Sequence, residues 1–474
     1  MNFIGLWPVA PKTSDTQSSY VAKTISPSPG RFIVLLPARF PMEHLTHILR
    51  GLLGLAAFIG LAVLFSENRK AINWRVVAIG LFLQFAFAGL VIYAPPVRYA
   101  VELVGNFFVK LLAFTNEGTK FVFGSLVDQD KHGVVFGLSI LPSIIFFSAF
   151  TSALYYLGIL QKIVWAFAWV MTKTMRLSGP ETLSASANIF LGQTEAPLLI
   201  KPYLNTMTRS EVLCVMIGGM ATVAGAVMIA YISFLGGNDP AQQVIFATHL
   251  ITKSVISAPA ALLIAKILVP QTEAVSTEVE VNKEKIGSNL LDAICLGTTD
   301  GLKLAVNVGA MLVVFTALVA LVNYVLSGWL GDPLGLNAWV ATTTGGVFKS
   351  FSLDFLLGML FAPVAWLMGI SNDALLQSGA LLGTRTVLNE FVAFIDLAKL
   401  KDTGVYTDPR NLMIMTYALC GFANIVSIGI QIGGIGAIAP AQRENLAKLG
   451  VKALLGGSLA CFMAAAIAGI LVPV

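Results

Sequence analysis

The sequence predicts an all-α polytopic membrane protein with about eight transmembrane helices, two re-entrant helical hairpins, inverted repeats and interfacial helices. Three observations predict it. Of 474 residues, 56% are hydrophobic and 12% charged, and mean hydropathy is +0.81, whereas soluble domains carry about 25% charged residues. Apolar runs of spanning length recur along the chain, and at about 20 residues per span plus loops its length accommodates about eight to ten crossings. Two further apolar stretches, Asn188–Lys201 and Asp373–Leu400, carry acids and amides; such side chains are costly at membrane depth and persist mainly where they face a cavity or substrate.

Composition also excludes. The formal charge of +5 is spread over loops and helix ends with no basic stripe among aromatics, which argues against a nucleic-acid partner. Cys214, Cys295, Cys420 and Cys461 lie in or beside apolar segments without CxxC spacing and read as small hydrophobes. His44, His47, His132 and His249 form no metal-binding motif. Gly345–Ser350 only resembles the end of a phosphate-binding loop, so direct ATP drive is not indicated.

Residues 1–41 are rich in Ser, Thr and Pro and read as disordered or loosely attached, with Met42 a candidate start. The chain then divides into an N-terminal extension (1–45), N-terminal spans with an interfacial helix (46–132), a first repeat (133–270), a polar linker (271–289) and a second repeat (290–474). Ile48–Phe65 and Val76–Tyr93 are the first two spans. Arg69, Lys70 and Arg75 between them outnumber Glu67, which makes that loop cytoplasmic by the positive-inside rule and puts the preceding segment outside. Val97–Gly124 mixes charged and apolar residues at helical spacing, as a helix lying in the interface does. Gly133–Gly158 is a span interrupted by Pro142, and Ile159–Met175, with Trp165 and Trp169, is an interfacial or tilted helix.

Asn188–Lys201 comes next. Asn188, Gln193, Thr194 and Glu195 fall within eight positions, with Gly192 and Pro197 bracketing the polar group. The apolar flanks are too short for two spans, and interrupted backbone at membrane depth occurs where it lines a water- or ligand-filled space; the stretch reads as a re-entrant hairpin. Val212–Leu235 and Ile245–Val269 are spans. Past the Pro270–Ser288 linker, Thr298-Thr299-Asp300 opens a helix to about Leu326, and Phe355–Ile370 is apolar around Pro363. Asp373–Leu400 repeats the hairpin plan with a tip at Gly383-Thr384-Arg385-Thr386, then Asn389-Glu390. Leu412–Ile438, containing Asn424 and Ser427, and Val451–Val472 are the last spans. Hairpin, charged loop and glycine-bearing span thus occur in the same order on both sides of the linker, and paired broken elements in corresponding halves point to a transporter site near the midplane.

Four stretches in this order, Gly192-Gln193-Thr194-Glu195-Ala196-Pro197-Leu198, Ala221-Thr222-Val223-Ala224-Gly225, Thr386-Val387-Leu388-Asn389-Glu390-Phe391-Val392-Ala393 and Cys420-Gly421-Phe422-Ala423-Asn424-Ile425, resemble the concentrative nucleoside transporter family. The resemblance covers roughly residues 45–474. It implies that Gln193, Thr194 and Glu195 bind the nucleobase, that Glu390, Asn424 and Ser427 hold the ribose hydroxyls, and that Val227 and Phe422 pack on the ligand. The chemistry suits these roles: an amide both donates and accepts, as base edges do, and a carboxylate accepting from vicinal hydroxyls makes charge-assisted bonds. For Na⁺ the resemblance implies Asn188, the Leu191 carbonyl, Thr222 and the Val223 carbonyl, a cage of neutral oxygens.

The sequence therefore leads to a symporter importing nucleosides such as uridine with Na⁺ across the bacterial inner membrane, surrounded by lipid, requiring no cofactor beyond the coupling ion. By the resemblance it is a homotrimer, with the helix from Asp300 to about Leu326 as the contact. Proton coupling through Glu195 or Glu390 is the alternative. A passive channel is disfavoured by polar residues on discontinuous helices. An intramembrane enzyme using the two acids is disfavoured by the lack of a nucleophile or metal constellation.

Overall fold

The computed structural model describes residues 42–127, 131, 135–275, 286–406 and 408–472, and among them all regular structure is helical. The expectations for residues 1–41 and for the centre of the 271–289 linker lie outside the described residues.

Helices α1 (Met42–Leu64) and α2 (Trp74–Tyr93) are the first two spans. Asn73 starts α2 by accepting a hydrogen bond from the Arg75 amide at 3.1 Å, which satisfies one of the donors a helix start leaves open. A 29-residue helix α3 (Pro95–Phe123) follows with a polar and an apolar side. Helices α4 (Leu141–Tyr156) and α5 (Ile159–Met175) meet at 77°. Pro142 does not interrupt α4, as the sequence suggested, but sits in its first turn, where a missing N–H costs nothing.

The short helix α6 (Gly179–Ala187) opens the first hairpin, which turns through Asn188–Glu195 and returns as the 3₁₀ segment Ala196–Ile200 and the helical turn Lys201–Leu204. Two helices follow where one span was expected over Val212–Leu235: α7 (Arg209–Ala221) and α8 (Gly225–Gly236), separated by unwound Thr222-Val223-Ala224. Helix α9 (Pro240–Leu268) returns. The next helix, α10 (Leu290–Asn323), begins ten residues before the Asp300 start read from the sequence. Its cap is Asn289, whose Oδ1 accepts from the Asp292 amide at 3.0 Å. A π-helical segment, Tyr324–Gly331, extends α10. A short helix α11 (Leu336–Thr343) and the apolar α12 (Leu353–Met368) lead to the second hairpin.

That hairpin consists of α13 (Leu375–Val387) and α14 (Glu390–Asp402). Its tip is Leu388-Asn389, so the expected tip at Gly383–Thr386 is corrected: those residues continue α13. The Leu412–Ile438 span is also broken, into α15 (Pro409–Leu419) and α16 (Ile425–Ile438) around Cys420–Asn424. Helix α17 (Arg443–Leu471) closes the chain. Among the described residues six helical stretches, α7–α8 taken together as one, are long and apolar enough to cross a membrane, or seven if the bent α4–α5 pair is one span. The broken α15–α16 pair repeats the plan of α7–α8.

The two hairpins enter from opposite ends of the bundle. Glu67, in the α1–α2 loop, accepts from Arg209 at the start of α7 (2.8 Å) and pairs with Lys452 of α17, while its amide donates to Leu268 O at the end of α9 (2.9 Å). The base of the first hairpin lies at this end, because Glu181 of α6 pairs with Lys266 of α9 at 2.6 Å. The second hairpin is fixed at the other end, where Lys401 of α14 donates to the Leu235 carbonyl at the close of α8.

Candidate functional site

Both unwound breaks lie in the buried core and face each other. The Phe422 amide donates to Thr222 O at 3.3 Å. A Cβ on Gly421 would lie 2.9 Å from Met220 O and 2.6 Å from Cys461 Sγ, so only glycine lets the second break approach the end of α7 this closely. The two hairpin tips rest on this crossing.

Gln193, from the turn of the first hairpin, lies across Gly219 of α7; a Cβ there would meet Gln193 Cβ at 2.8 Å and Gln431 Nε2 at 2.7 Å. Its Nε2 donates to Ser427 Oγ (3.2 Å), and its Oε1 accepts from Gln431 Nε2 (3.1 Å), which also donates to Met216 O (2.9 Å). Asn424 caps α16 by accepting from the Ser427 amide at 2.8 Å, and its Nδ2 donates to Glu390 Oε2, also at 2.8 Å. Glu390 Oε1 accepts from the Tyr231 hydroxyl at 3.2 Å. Tyr231 is stacked on Phe394, ring centroids 4.0 Å apart. Residues of both hairpins and both broken helices therefore share one buried hydrogen-bonded chain.

Of the predicted substrate residues, the structure thus connects Gln193, Ser427, Asn424 and Glu390. Thr194 packs on α16, its Cγ2 2.7 Å from where a Cβ on Gly434 would stand. Val227 is buried on α8, one turn before Tyr231, and Phe422 is half-buried in the second break. Glu195 is exposed; its Oε2 accepts from the Gly192 amide (3.2 Å), and it is not joined to the network among the described residues. Sequence reasoning missed Gln431 and Tyr231. Both were legible: each lies four positions after a residue already singled out, Ser427 and Val227, and so on the same helical face.

The four predicted ion ligands sit where the first hairpin meets the first break. Asn188 Nδ2 donates to Ser184 O (3.0 Å), while its Oδ1 is buried without a hydrogen-bond partner. Thr222 Oγ1 donates to Gly218 O (2.8 Å), leaving its oxygen lone pairs available. The Gly225 amide donates to Phe190 O (3.1 Å), which binds the hairpin turn to the start of α8. Leu191 and Val223 are buried, and among the described residues no hydrogen bond reaches either carbonyl. Unsatisfied buried oxygens are costly, and neutral oxygen donors of this kind fit a hard monovalent cation. Among the described residues no group of three His, Cys, Asp or Glu side chains could hold a metal ion.

A cavity of about 640 Å³ lies elsewhere, between α3, α8 and α14, lined by residues including Asn116, Phe234, Gln243 and Lys399. It contains none of the predicted site residues; the Tyr231–Phe394 stack lies one helical turn away along α8.

Broken helices crossing in the core, oppositely inserted hairpins and a polar network between them define a polytopic helical transporter. Comparison with known proteins makes the class specific. Residues 53–126 match a family model described as the Na⁺ dependent nucleoside transporter N-terminus, 137–238 one described as nucleoside recognition, and 249–469 the Na⁺ dependent nucleoside transporter C-terminus. The chain is 40% identical over 430 residues to an uncharacterized transporter of Haemophilus influenzae, covering 90% of this chain and 98% of that one. It is 38% identical over 434 residues to sodium/nucleoside cotransporter 1 of Rattus norvegicus, covering 88% of this chain and 63% of the rat protein. The fold superposes on CNTnw in an inward-facing substrate-bound state with TM-score 0.78 and 37% identity, over 90% of this chain and 98% of that one. An outward-facing state of CNTnw fits equally, with TM-score 0.78. The chain belongs to the concentrative nucleoside transporter family, and its relatives and fold are those of transporters, not enzymes.

Proposed function

We propose that the protein is a secondary active symporter that imports nucleosides with Na⁺ across the bacterial inner membrane. One observation carries this reading: Gln193, Ser427, Asn424 and Glu390, drawn from both hairpins and from the second broken helix, join in a single hydrogen-bonded chain. Gln193, Thr194 and Glu195 present an amide, a hydroxyl and a carboxylate to the base. Glu390, Asn424 and Ser427 take the ribose hydroxyls, and Val227 and Phe422 supply apolar contact.

The ion belongs at Asn188 Oδ1, Thr222 Oγ1 and the Leu191 and Val223 carbonyls. A cation bound there ties the first hairpin to the first break, and Gln193 lies on that same hairpin, so ion occupancy and the substrate site are mechanically joined. The driving force suffices. A cation crossing about 100 mV gains about 2.3 kcal/mol and a tenfold ion gradient adds about 1.4 kcal/mol, together enough to concentrate a neutral solute about a few hundredfold.

The basic α1–α2 loop sets the Glu67 end in the cytoplasm, so the first hairpin re-enters from inside and the second from outside, as inverted repeats. In this reading the hairpins and broken helices move the site as a unit past α4 and α10 in alternating access. Only 6% of the hydrophobic stretch of the α10 span is buried within one chain, which suits its use as a contact in a homotrimer. The test is uridine uptake into proteoliposomes under an imposed Na⁺ gradient and, separately, a proton gradient. Accumulation driven by Na⁺ and absent in choline is the expected result. Accumulation driven by protons alone keeps the substrate and refutes the ion; no uptake of any nucleoside refutes the function.

A further inference from the structure

Arg385 is the largest fully buried side chain among the described residues, and the proposed transport cycle gives it no role. A guanidinium at this depth is very costly unless its donors are used. All its described bonds go to neutral oxygens. Nη1 donates to Ala418 O (2.5 Å) and Nη2 to Ser458 Oγ (3.1 Å), and Nε and Nη2 both reach Ala423 O (3.4 Å each). The ring of Phe462 lies 5.3 Å from the guanidinium carbon. Glu390 is held by Asn424 and Tyr231 rather than by Arg385.

The position of this cation follows from the repeat. Helix α8 is capped by Ala224 and helix α16 by Asn424, so Val223 and Ala423, each just before its cap, are equivalent. Asn188 closes the first helix of the first hairpin, and Arg385 lies in the last turn of the first helix of the second. In the first repeat, Asn188 and the Val223 carbonyl flank the proposed ion site, while the end of α7 is held by Lys253, whose Nζ donates to Ala221 O at 2.5 Å. In the second repeat Arg385 does both tasks: it holds Ala418 O at the end of α15 and also takes Ala423 O. We infer that Arg385 is a tethered cation standing in the second repeat where the first binds its coupling ion. It is a positioning residue that keeps Asn424, and through it Glu390, in place without a second mobile ion. This inference rests on the proposed sodium site for its comparison, though not for its test.

The test compares Arg385→Lys, Arg385→Gln and Arg385→Ala in the purified full-length protein, by thermal unfolding and by uridine uptake. Gln retains hydrogen-bond donors without charge; Lys retains charge without the planar fork. The expected result is that Arg385→Lys stays close to the parent in both, while Arg385→Gln loses uptake about tenfold or more, as loss of hydrogen bonds from a charged group predicts. Low-millimolar guanidinium, against choline at matched ionic strength, raises the unfolding temperature of Arg385→Ala and leaves that of the parent unchanged. If Arg385→Gln matches Arg385→Lys, or if Arg385→Ala folds and neither guanidinium nor Na⁺ stabilises it beyond choline, the charge is irrelevant and the inference falls. Should Arg385→Ala not fold, the Lys–Gln comparison decides alone. Parent protein whose uptake ignores Na⁺ refutes the symport reading instead, and the unfolding data still report on Arg385.

Discussion

Replacing Glu390 by Gln separates the charge of the proposed ribose site from its shape. In the parent, Oε2 accepts from Asn424 Nδ2 at 2.8 Å and Oε1 from the Tyr231 hydroxyl at 3.2 Å. The amide of Gln fits this setting: its oxygen can keep the Asn424 bond, and its NH₂ can face Tyr231, whose hydroxyl then accepts instead of donating. The variant is therefore expected to fold, with an unfolding temperature near that of the parent. Substrate binding fares differently. Two ribose hydroxyls that donate to a carboxylate make bonds of about 1.5–3 kcal/mol each, against about 0.5–1.5 kcal/mol for neutral partners. The loss is about 2–3 kcal/mol, or about 30- to 150-fold in affinity. At uridine concentrations near the parent KM, uptake by Glu390→Gln should fall to background in proteoliposomes. Normal uptake by a folded Glu390→Gln would refute the ribose assignment. So would an equal loss in Tyr231→Phe, which keeps the charge.

Gln431→Leu removes the partner that fixes the Gln193 oxygen; KM for nucleosides should rise several-fold with the Na⁺ requirement unchanged, and a shift in Na⁺ activation without a change in KM would contradict the assignment. Asn188→Leu removes the unpartnered buried oxygen, and Na⁺-dependent stabilisation against heat should disappear in detergent, an outcome visible without any transport measurement. Gly421→Ala sets a Cβ 2.9 Å from Met220 O and 3.2 Å from Ala221 O; because backbone cannot give way as a side chain can, a loss of about 1–3 kcal/mol is expected, and adding Cys461→Ala should not restore the unfolding temperature. At Glu67, burial raises the carboxyl, but hydrogen bonds from Arg209 and Lys452 and their charges outweigh it and hold it below its usual range. Its contribution is thus present above the unfolded value of about 4.3 and lost as pH falls through the lower folded value. Glu67→Gln should cost at most about 1 kcal/mol at pH 7, and its unfolding temperature should converge on the parent's as pH falls from the unfolded value through the lower folded one.

What was legible in the sequence is what carries its own signal. The first hairpin announced itself because Asn188, Gln193 and Glu195 are polar in an apolar setting with Gly192 and Pro197 beside them. The helix breaks gave no such sign. Thr222-Val223-Ala224 and Cys420-Gly421-Phe422-Ala423 are largely apolar and contain no proline, so hydropathy ran straight through them. They are unwound by partners distant in sequence: Lys253 on Ala221 O, Arg385 on Ala418 O, and each break on the other. Local misreadings had the opposite cause. Gly383-Thr384-Arg385-Thr386 has turn composition, yet Gly383 packs on Leu357 and Arg385 is wholly buried, so α13 continues to Val387. Thr298-Thr299-Asp300 looks like a helix start, but the hydroxyls of Thr298 and Thr299 bond back to the carbonyls of Ile294 and Cys295 inside α10.

Two fully buried basic residues follow one rule. Lys253 holds the carbonyl end of α7 and Arg385 that of α15, the two helices that end at the breaks. A helix ending inside the bundle leaves carbonyls and the negative end of its dipole without water, and a tethered cation meets both needs at once. Helix α6 ends in the same core, and there the side chain present is the neutral amide of Asn188, with one oxygen buried and unpartnered. In the proposed cycle these fixed charges would secure junctions that persist throughout. The end of α6 instead closes with neutral oxygens against the first break, a junction whose strength can depend on an ion that arrives and leaves. A carrier of the proposed kind needs one such conditional contact next to its substrate site, and on the proposed assignment Gln193, five residues beyond Asn188 on the same turn, would put the two side by side.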